Sequence, residues 1–440
     1  MKILNRREPF LLFVGDLVAF SVALWLSLAL RYGALPSQEL LLKHTIPFLI
    51  IFALWVAVFF IAGLYEKHTL VFKGNLPTLI LNTQIANSII AVIFFYLFAS
   101  FGITPKTILA TDLVISLGLI VFWRVSLVPR LGFRKRENAL LVGVGEETTE
   151  LRKEVNAREQ YNFKFVSSIS LNSADINSNI ALCIRDEKIT SVVVDFRNEK
   201  AEAFLPALYS LIPSGVRFYD IHKVYEEVFE RIPLSLVRYS WFLENISSSS
   251  HAGYDTLKRA MDLIIGGVLG ILSLPVYPFV ALLVFLDDRG GAMIFQNRIG
   301  KKNSIIRIMK FRSMARGADG ENKVTRAGRI LRATRIDELP QLWNVVKGEL
   351  SLVGPRPELP ELVKIYEKEI PYYQVRHLVT PGLSGWGQIK DYNVPRGTAD
   401  VDKTRTKLSY DLYYIKNRSF MLDLTIALKT LKTLLSQSGN

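Results

Sequence analysis

Four stretches that are apolar on every face open the chain: Pro9 to Leu30, Thr45 to Leu64, Leu79 to Phe101 and Ile108 to Val128. Each is close to the ~20 residues that a helix needs to cross a bilayer core. A helix of a soluble domain would show one apolar stripe, so the pattern predicts four transmembrane helices. From residue 137 to about 222 the pattern changes. The run "ALLVGVG" ends in glycines, "EETTELRKEVNA" is helical in character, and "FKFVSSIS", "TSVVVDF" and "VRFYDI" read as strands, with a helix-like "KAEAFLPALYSLI" before the last. Alternation of this kind predicts a small Rossmann-like α/β domain with a parallel sheet. A further apolar stretch, Leu257 to Asp288, carries Pro275 and Pro278 in its middle. Each proline lacks a donor and crowds the carbonyl four residues back, so a break is expected there.

Charge orders these segments. Lys2, Arg6 and Arg7 precede the first, and Arg130, Arg134, Lys135 and Arg136 follow the fourth. Positive residues stay on the cytoplasmic side, which puts the N-terminus and everything after residue 130 in the cytoplasm. Lys258 and Arg259 flank the proline-broken stretch on one side, with Arg289, Lys301 and Lys302 beyond the other. A fifth, kinked crossing would carry residues 289 to 440 out of the cytoplasm, so a re-entrant helix that turns back at Pro275 is the better expectation. "NISSSSHAG" reads as a linker, giving expected domains at 1–131, 132–250 and 251–440. The last is expected to be a mainly α monotopic domain. Its amphipathic stretches "LPELVKIYEKEIPYYQVRHLV" and "FMLDLTIALKTLKTLLSQ" suit either a membrane surface or a globular core.

The formal net charge of +14 fits anionic lipid, phosphorylated substrates or nucleic acid without choosing among them. Cys183 is the single cysteine, which excludes an intrachain disulfide and a cysteine-rich metal site. The basic start leads into an apolar run too long for a signal peptide, so no secretory cleavage is expected. In the α/β domain, Gly143 and Gly145 follow the first strand, but Thr148 stands at the third glycine position and no acidic residue closes the second strand at Ser170. The dinucleotide fingerprint is therefore degraded, and a structural or regulatory role is expected for this domain.

The candidate chemistry lies near the C-terminus, in "RIDELPQLWNVVKG". Pro340 suits a first helical turn and Gly348 a helix stop, which puts Asp337 and Glu338 at or just before the start of a short helix. Such an end favours anions, although acidic residues there also act as simple caps. Arg332 precedes the pair, Arg356 sits between two prolines in "GPRP", and Lys310 and Arg312 alternate in "KFRSM", on one face if that segment is a strand. Two carboxylates among so many cations fit a phosphoryl-transfer site that needs both a nucleophile and charge neutralisation.

With "KFRSM", "LRATRIDELPQLWNVVKGELSLVGPRPE", "TPGLSGWGQ" and "YDLYYIKNRSFMLDLTIALKT" in this order, the chain from Lys258 onward resembles the polyprenyl-phosphate glycosyl-1-phosphate transferases of the bacterial sugar transferase family. The N-terminal half resembles the four-helix and α/β extension of the large members. The resemblance implies transfer of a sugar-1-phosphate from a UDP-sugar to polyprenyl (undecaprenyl) phosphate, releasing UMP and starting membrane glycoconjugate or exopolysaccharide synthesis. It implies Asp337 as nucleophile, Glu338 as its assistant, Mg2+ held at Asp337 and Glu338, Arg332 and Arg356 on phosphate, and Pro275 as the helix break. Lys310 and Arg312 join the expected phosphate contacts. The implied partners are the UDP-sugar, the lipid, the membrane and a second copy of the chain, with no nucleic acid. The implied location is the bacterial inner membrane, with the catalytic domain on the cytoplasmic face. Two departures stand out: Leu274, not serine, precedes Pro275, and Thr380 replaces a cation before "PG". Alternative readings are a membrane-bound nucleotide-sugar dehydratase, for which Tyr219 with Lys223 and Tyr254 with Lys258 have the required spacing, or a non-enzymatic scaffold for polysaccharide assembly.

Overall fold

The computed structural model describes residues 7–65, 76–97, 106–128, 136–158, 161–172, 176–247, 252–316, 322–390 and 399–435. Lys2, Arg6, Arg130, Arg134, Lys135 and the serines at the centre of the expected linker lie outside them. The chain divides into two units, Met1–Val228 and Phe229–Asn440.

In the first unit, α1 (Arg7–Tyr32), α2 (Gln38–Ile61), α3 (Leu76–Leu97) and α4 (Lys106–Val121, prolonged by a π-helical turn, Phe122–Leu127) are the four expected apolar helices. All four are long and apolar enough to cross a membrane. Their shared core is aromatic, with Phe20, Phe48, Phe52, Trp55 and Phe59 buried together. Two buried charges within these apolar helices are partners. Arg124 bonds Asp16 through Nε at 3.0 Å and through a second nitrogen, while Tyr65 donates to Asp16 Oδ2 at 2.8 Å. An unpaired ion at this depth would be costly, so the pair fixes α1 against α4. Gly15 permits that approach, since a Cβ there would lie 2.1 Å from the Trp123 ring.

The α/β region follows in the same unit. Its strands β1 (Glu137–Val142), β2 (Phe163–Ile169), β3 (Ser191–Val194) and β4 (Arg217–Asp220) form one parallel sheet in the order β2-β1-β3-β4. Helices α5 (Glu146–Ala157), α6 (Ile176–Asp186), α7 (Leu205–Ser210) and α8 (Ile221–Phe229) alternate with them. Gly145 takes φ +113° at the turn from β1 into α5, and Thr148 is buried against Gly143.

The second unit begins earlier than the linker implied. Ile232, Val237 and Trp241 are buried in the same core as Tyr366, Trp386, Leu408 and Leu412. Its apolar stretch is two helices, α9 (Ala252–Ser273) and α10 (Val276–Asp288), bent by 57° at a break of a few residues. The break is at Pro275 alone. Pro278 falls in the first turn of α10, where a missing N–H costs nothing. At the break, Leu274 N–H bonds Ile271 O rather than Gly270 O, and the Ser273 hydroxyl donates to Gly270 O at 2.7 Å. The serine displaced by one position thus satisfies a carbonyl at the break.

A hairpin of β5 (Met293–Ile299) and β6 (Ile305–Phe311) follows, then a second of β7 (Met314–Arg316) and β8 (Asn322–Val324), then α11 (Arg326–Ala333) and α12 (Gln341–Lys347). Short β9 (Ser351–Val353) pairs in parallel with β10 (Gly382–Ser384). Helices α13 (Pro360–Glu369), α14 (Trp386–Lys390), α15 (Val401–Asn417) and α16 (Phe420–Leu435) complete the unit. The first amphipathic stretch is thus helical only to Glu369; after Pro371, Tyr372 turns left-handed at φ 64° and a 3-10 turn follows. Helix α12 lies on α9 because Gly266 faces Val345 and Gly270 faces Trp343 with no side chain between. Arg259 of α9 closes the end of α12 by donating to Val345 O and Val346 O, each at 2.7 Å.

Candidate active site

Arg335 adopts a left-handed conformation, φ 54°, and turns the chain from α11 into a 3-10 turn, Ile336–Glu338. Pro340 then caps α12, and Gly348 at φ 88° ends it, as the sequence predicts. The pair of carboxylates therefore sits in the corner between two helices, with Asp337 only 8% exposed. Helix α12 has seven residues, too few for its dipole to be the source of anion affinity that its sequence suggested. Side-chain cations fill that role. Asn344 of α12 donates to Arg307 O at 2.9 Å and accepts from Met309 N–H at 3.1 Å, which locks α12 to β6 and sets Lys310 beside the carboxylates.

Arg356, between Pro355 and Pro357 just after β9, forms an ion pair with Glu338. Arg335 reaches the other oxygen of Glu338 at 3.7 Å. Burial alone would raise the Glu338 carboxyl, but Arg356, Lys310 and Arg335 outweigh it and hold it at about 2. Asp337 differs. It has no side-chain hydrogen bond or ion pair with any other described residue. Burial and the neighbouring Glu338 charge push it up to about 6, against the pull of Lys310, Arg332 and Arg356. Burial, with Arg356 and Arg298 close by, brings the Lys310 ammonium down to about 8. Adjacent carboxylates thus hold different states: Glu338 is a fixed anion, and Asp337 is an unpaired one whose environment favours losing its charge. A buried, unpartnered carboxylate facing cations suits nucleophilic attack on a phosphate.

Of the residues singled out from the sequence, Asp337, Glu338, Lys310, Arg332 and Arg356 act on one another electrostatically. Arg312 falls just past β6, and its guanidinium lies against the backbone of Gly290, where a Cβ would be 1.9 Å away. Pro275 is at the helix break. Three contributors were not legible. Arg298 of β5 is attracted by Glu358 and Glu338 against the repulsion of Arg356; its only sequence signal is a cation in a strand, "QNRIG". Asn344 looked like any polar helical residue. Arg376 is buried under the site, donating to Arg356 O at 2.9 Å and pairing with Asp411 at 2.8 Å. Glu358 beside it pairs with Lys407, so a buried ion cluster underlies the "GPRPE" loop.

Mg2+ takes one or two protein carboxylates and completes its shell with water and substrate phosphate. The described residues hold no group of three His, Cys, Asp or Glu side chains that would form a protein-only site. Asp337 and Glu338 fit that limited role, Asp337 with oxygens unpaired among the described residues and Glu338 already facing Arg356 and Arg335.

Comparison with known proteins places these residues. The model of the bacterial sugar transferase family matches residues 253–437. A UDP-glucose:undecaprenyl-phosphate glucose-1-phosphate transferase of Caulobacter vibrioides is 38% identical over 191 residues, 41% of this chain and 71% of the relative. The chain belongs to the bacterial sugar transferase family. Another family member, the UDP-N-acetylgalactosamine-undecaprenyl-phosphate N-acetylgalactosaminephosphotransferase of Aeromonas hydrophila, is 44% identical over 195 residues, 42% of this chain. Likeness to the undecaprenyl-phosphate glucose phosphotransferase of Komagataeibacter xylinus extends further, 31% identity over 324 residues and 69% of this chain. The chain spans 45% of the Aeromonas protein and 60% of the Komagataeibacter one. All the cations and carboxylates of the site lie inside the stretch that the sugar transferase family matches.

Proposed function

We propose that this sugar transferase moves a sugar-1-phosphate from a UDP-sugar to undecaprenyl phosphate or a similar polyprenyl phosphate. An Asp337 oxygen attacks the sugar-bearing phosphorus, the bond from that phosphorus to the bridging oxygen breaks, and UMP leaves. The lipid phosphate oxygen then attacks the same phosphorus and displaces Asp337, giving a polyprenyl-diphosphate sugar. Arg332, Arg356 and Lys310 hold the diphosphate and take up the charge that builds on its oxygens. Glu338 keeps Arg356 aimed. Asp337 and Glu338 would hold Mg2+, which would further neutralise phosphate charge.

The observation that carries this reading is the contrast within the dyad: Glu338 is ion-paired, while Asp337 is buried, unpaired and surrounded by cations. The pair α9 and α10, bent by 57° with Leu263, Ile264, Phe279 and Leu286 exposed, supports a re-entrant insertion into one leaflet of the inner membrane from the cytoplasmic face. There a soluble nucleotide sugar and a lipid phosphate can meet. The dehydratase alternative loses one of its tyrosine–lysine pairs, since Tyr254 and Lys258 both bind Asp423 at 2.7 Å. The test is UMP release by the solubilised protein, given undecaprenyl phosphate, Mg2+ and a panel of UDP-sugars. UMP release with at least one of them is expected, and its loss in Asp337→Asn. Retained turnover in that variant would remove Asp337 from the role.

A further inference from the structure

A cavity of about 260 Å³ opens in the second unit, lined by residues that the mechanism does not use. Lys258, Arg259, Lys301 and Arg418 stand in its wall against Asp255 and Asp262. None of Asp337, Glu338, Lys310, Arg332 or Arg356 lines it. The two carboxylates are poorly matched to these cations. Asp262 accepts from the Leu352 backbone at 3.0 Å, and half-exposed Asp255 approaches Arg418 only to 3.7 Å. Arg259 spends its donors on neutral carbonyls of α12, and Lys258 is ion-paired with Asp423 at 2.7 Å, which leaves Lys301 and Arg418 as the cations with donors to offer. The Nε of Arg418 is buried without a hydrogen-bond partner, and exposed Lys301 has no ion pair among the described residues. Thr380 adds a hydroxyl to the same wall. Unspent donors converging on a cavity of this size fit an oxyanion with several acceptor oxygens.

We propose that this cavity is a second phosphate-binding site, separate from the dyad, which seats a phosphate group borne by a lipid headgroup or free in solution. Position favours the lipid. Helix α9 lines the cavity up to Asp262, and from Leu263 onward it exposes Ile264 at 66%, Val268 at 53% and Ile271 at 62%. A phosphate held at that boundary would sit at headgroup depth, with acyl chains along the apolar face. The lipid source rests on the interfacial reading given above, whereas the anion site rests on the cavity alone.

The test uses the full-length protein in detergent, with Lys301→Ala and Arg418→Gln as separate variants. Lys301 lies on an exposed turn, so its removal leaves the fold intact. In one arm, native mass spectrometry follows retention of phosphatidylglycerol against phosphatidylcholine. In the other, titration calorimetry follows inorganic phosphate. Loss of one charge-assisted contact is expected to weaken binding at least about fivefold in one arm, and that arm names the source. Asp337→Asn should not weaken the same binding. The proposal is overturned if both variants match the wild type in both arms, or if Asp337→Asn abolishes the binding that they weaken.

Discussion

Replacing Asp337 by asparagine should make the protein more stable while stopping turnover. The carboxyl is pushed from its ordinary 3.8 up to about 6, chiefly by burial. That rise corresponds to a cost of roughly 3 kcal/mol for carrying the charge at neutral pH. Asparagine keeps the shape and removes the charge, but a buried amide without full partners returns ~1–2 kcal/mol of the gain. The net expectation is a stabilisation of about 1–2 kcal/mol, a rise of roughly 2–8 °C in Tm for a unit of this size. The pH dependence gives the sharper check. A raised carboxyl contributes stability that is fully present below its unfolded value, 3.8, and is lost as pH rises through about 6. The advantage of Asp337→Asn should therefore be largest above pH 7, shrink between pH 6 and 4, and reverse below, where only the cost of the buried amide remains. Tryptophan-fluorescence melts in one detergent across that range measure it. An asparagine variant less stable than wild type at pH 7.5, or a difference indifferent to pH, would refute the electrostatic account of the site.

The rate of UMP release should follow a bell, rising through about 6 as Asp337 ionises and falling above about 8 as Lys310 loses its proton, measured under saturating substrate. Arg376→Ala leaves Asp411 buried without its cation and should cost about 3–5 kcal/mol in a denaturant melt. Ser273→Ala removes the donor to Gly270 O at the helix break and should cost about 1 kcal/mol by the same measurement.

Elements with strong local signals were legible in the sequence. All-round apolarity marked α1 to α4, alternation marked the parallel sheet, and Pro340 with Gly348 bracketed α12. The dyad was legible because its acids are adjacent and its arginines close in sequence. What the sequence hid depends on long-range approach. Asp16 and Arg124 are 108 residues apart, and nothing local declares them partners. Arg298, Asn344 and Arg376 reach the site only once β5, α12 and the 3-10 turn after Tyr372 are packed. Arg312 went the other way: its spacing from Lys310 implied a shared strand face, but β6 ends at Phe311 and the chain turns it onto Gly290.

In the proposed reaction Asp337 itself becomes covalently bonded to the sugar phosphate. Incubating the protein with a UDP-sugar that supports UMP release, in the absence of polyprenyl phosphate, and mapping the peptides by mass spectrometry tests it directly. The expected result is about one UMP released per protein molecule and a sugar-phosphate mass on the peptide bearing Asp337, which disappears when polyprenyl phosphate is added. UMP release that requires the lipid from the outset, or an adduct on any other residue, would contradict it.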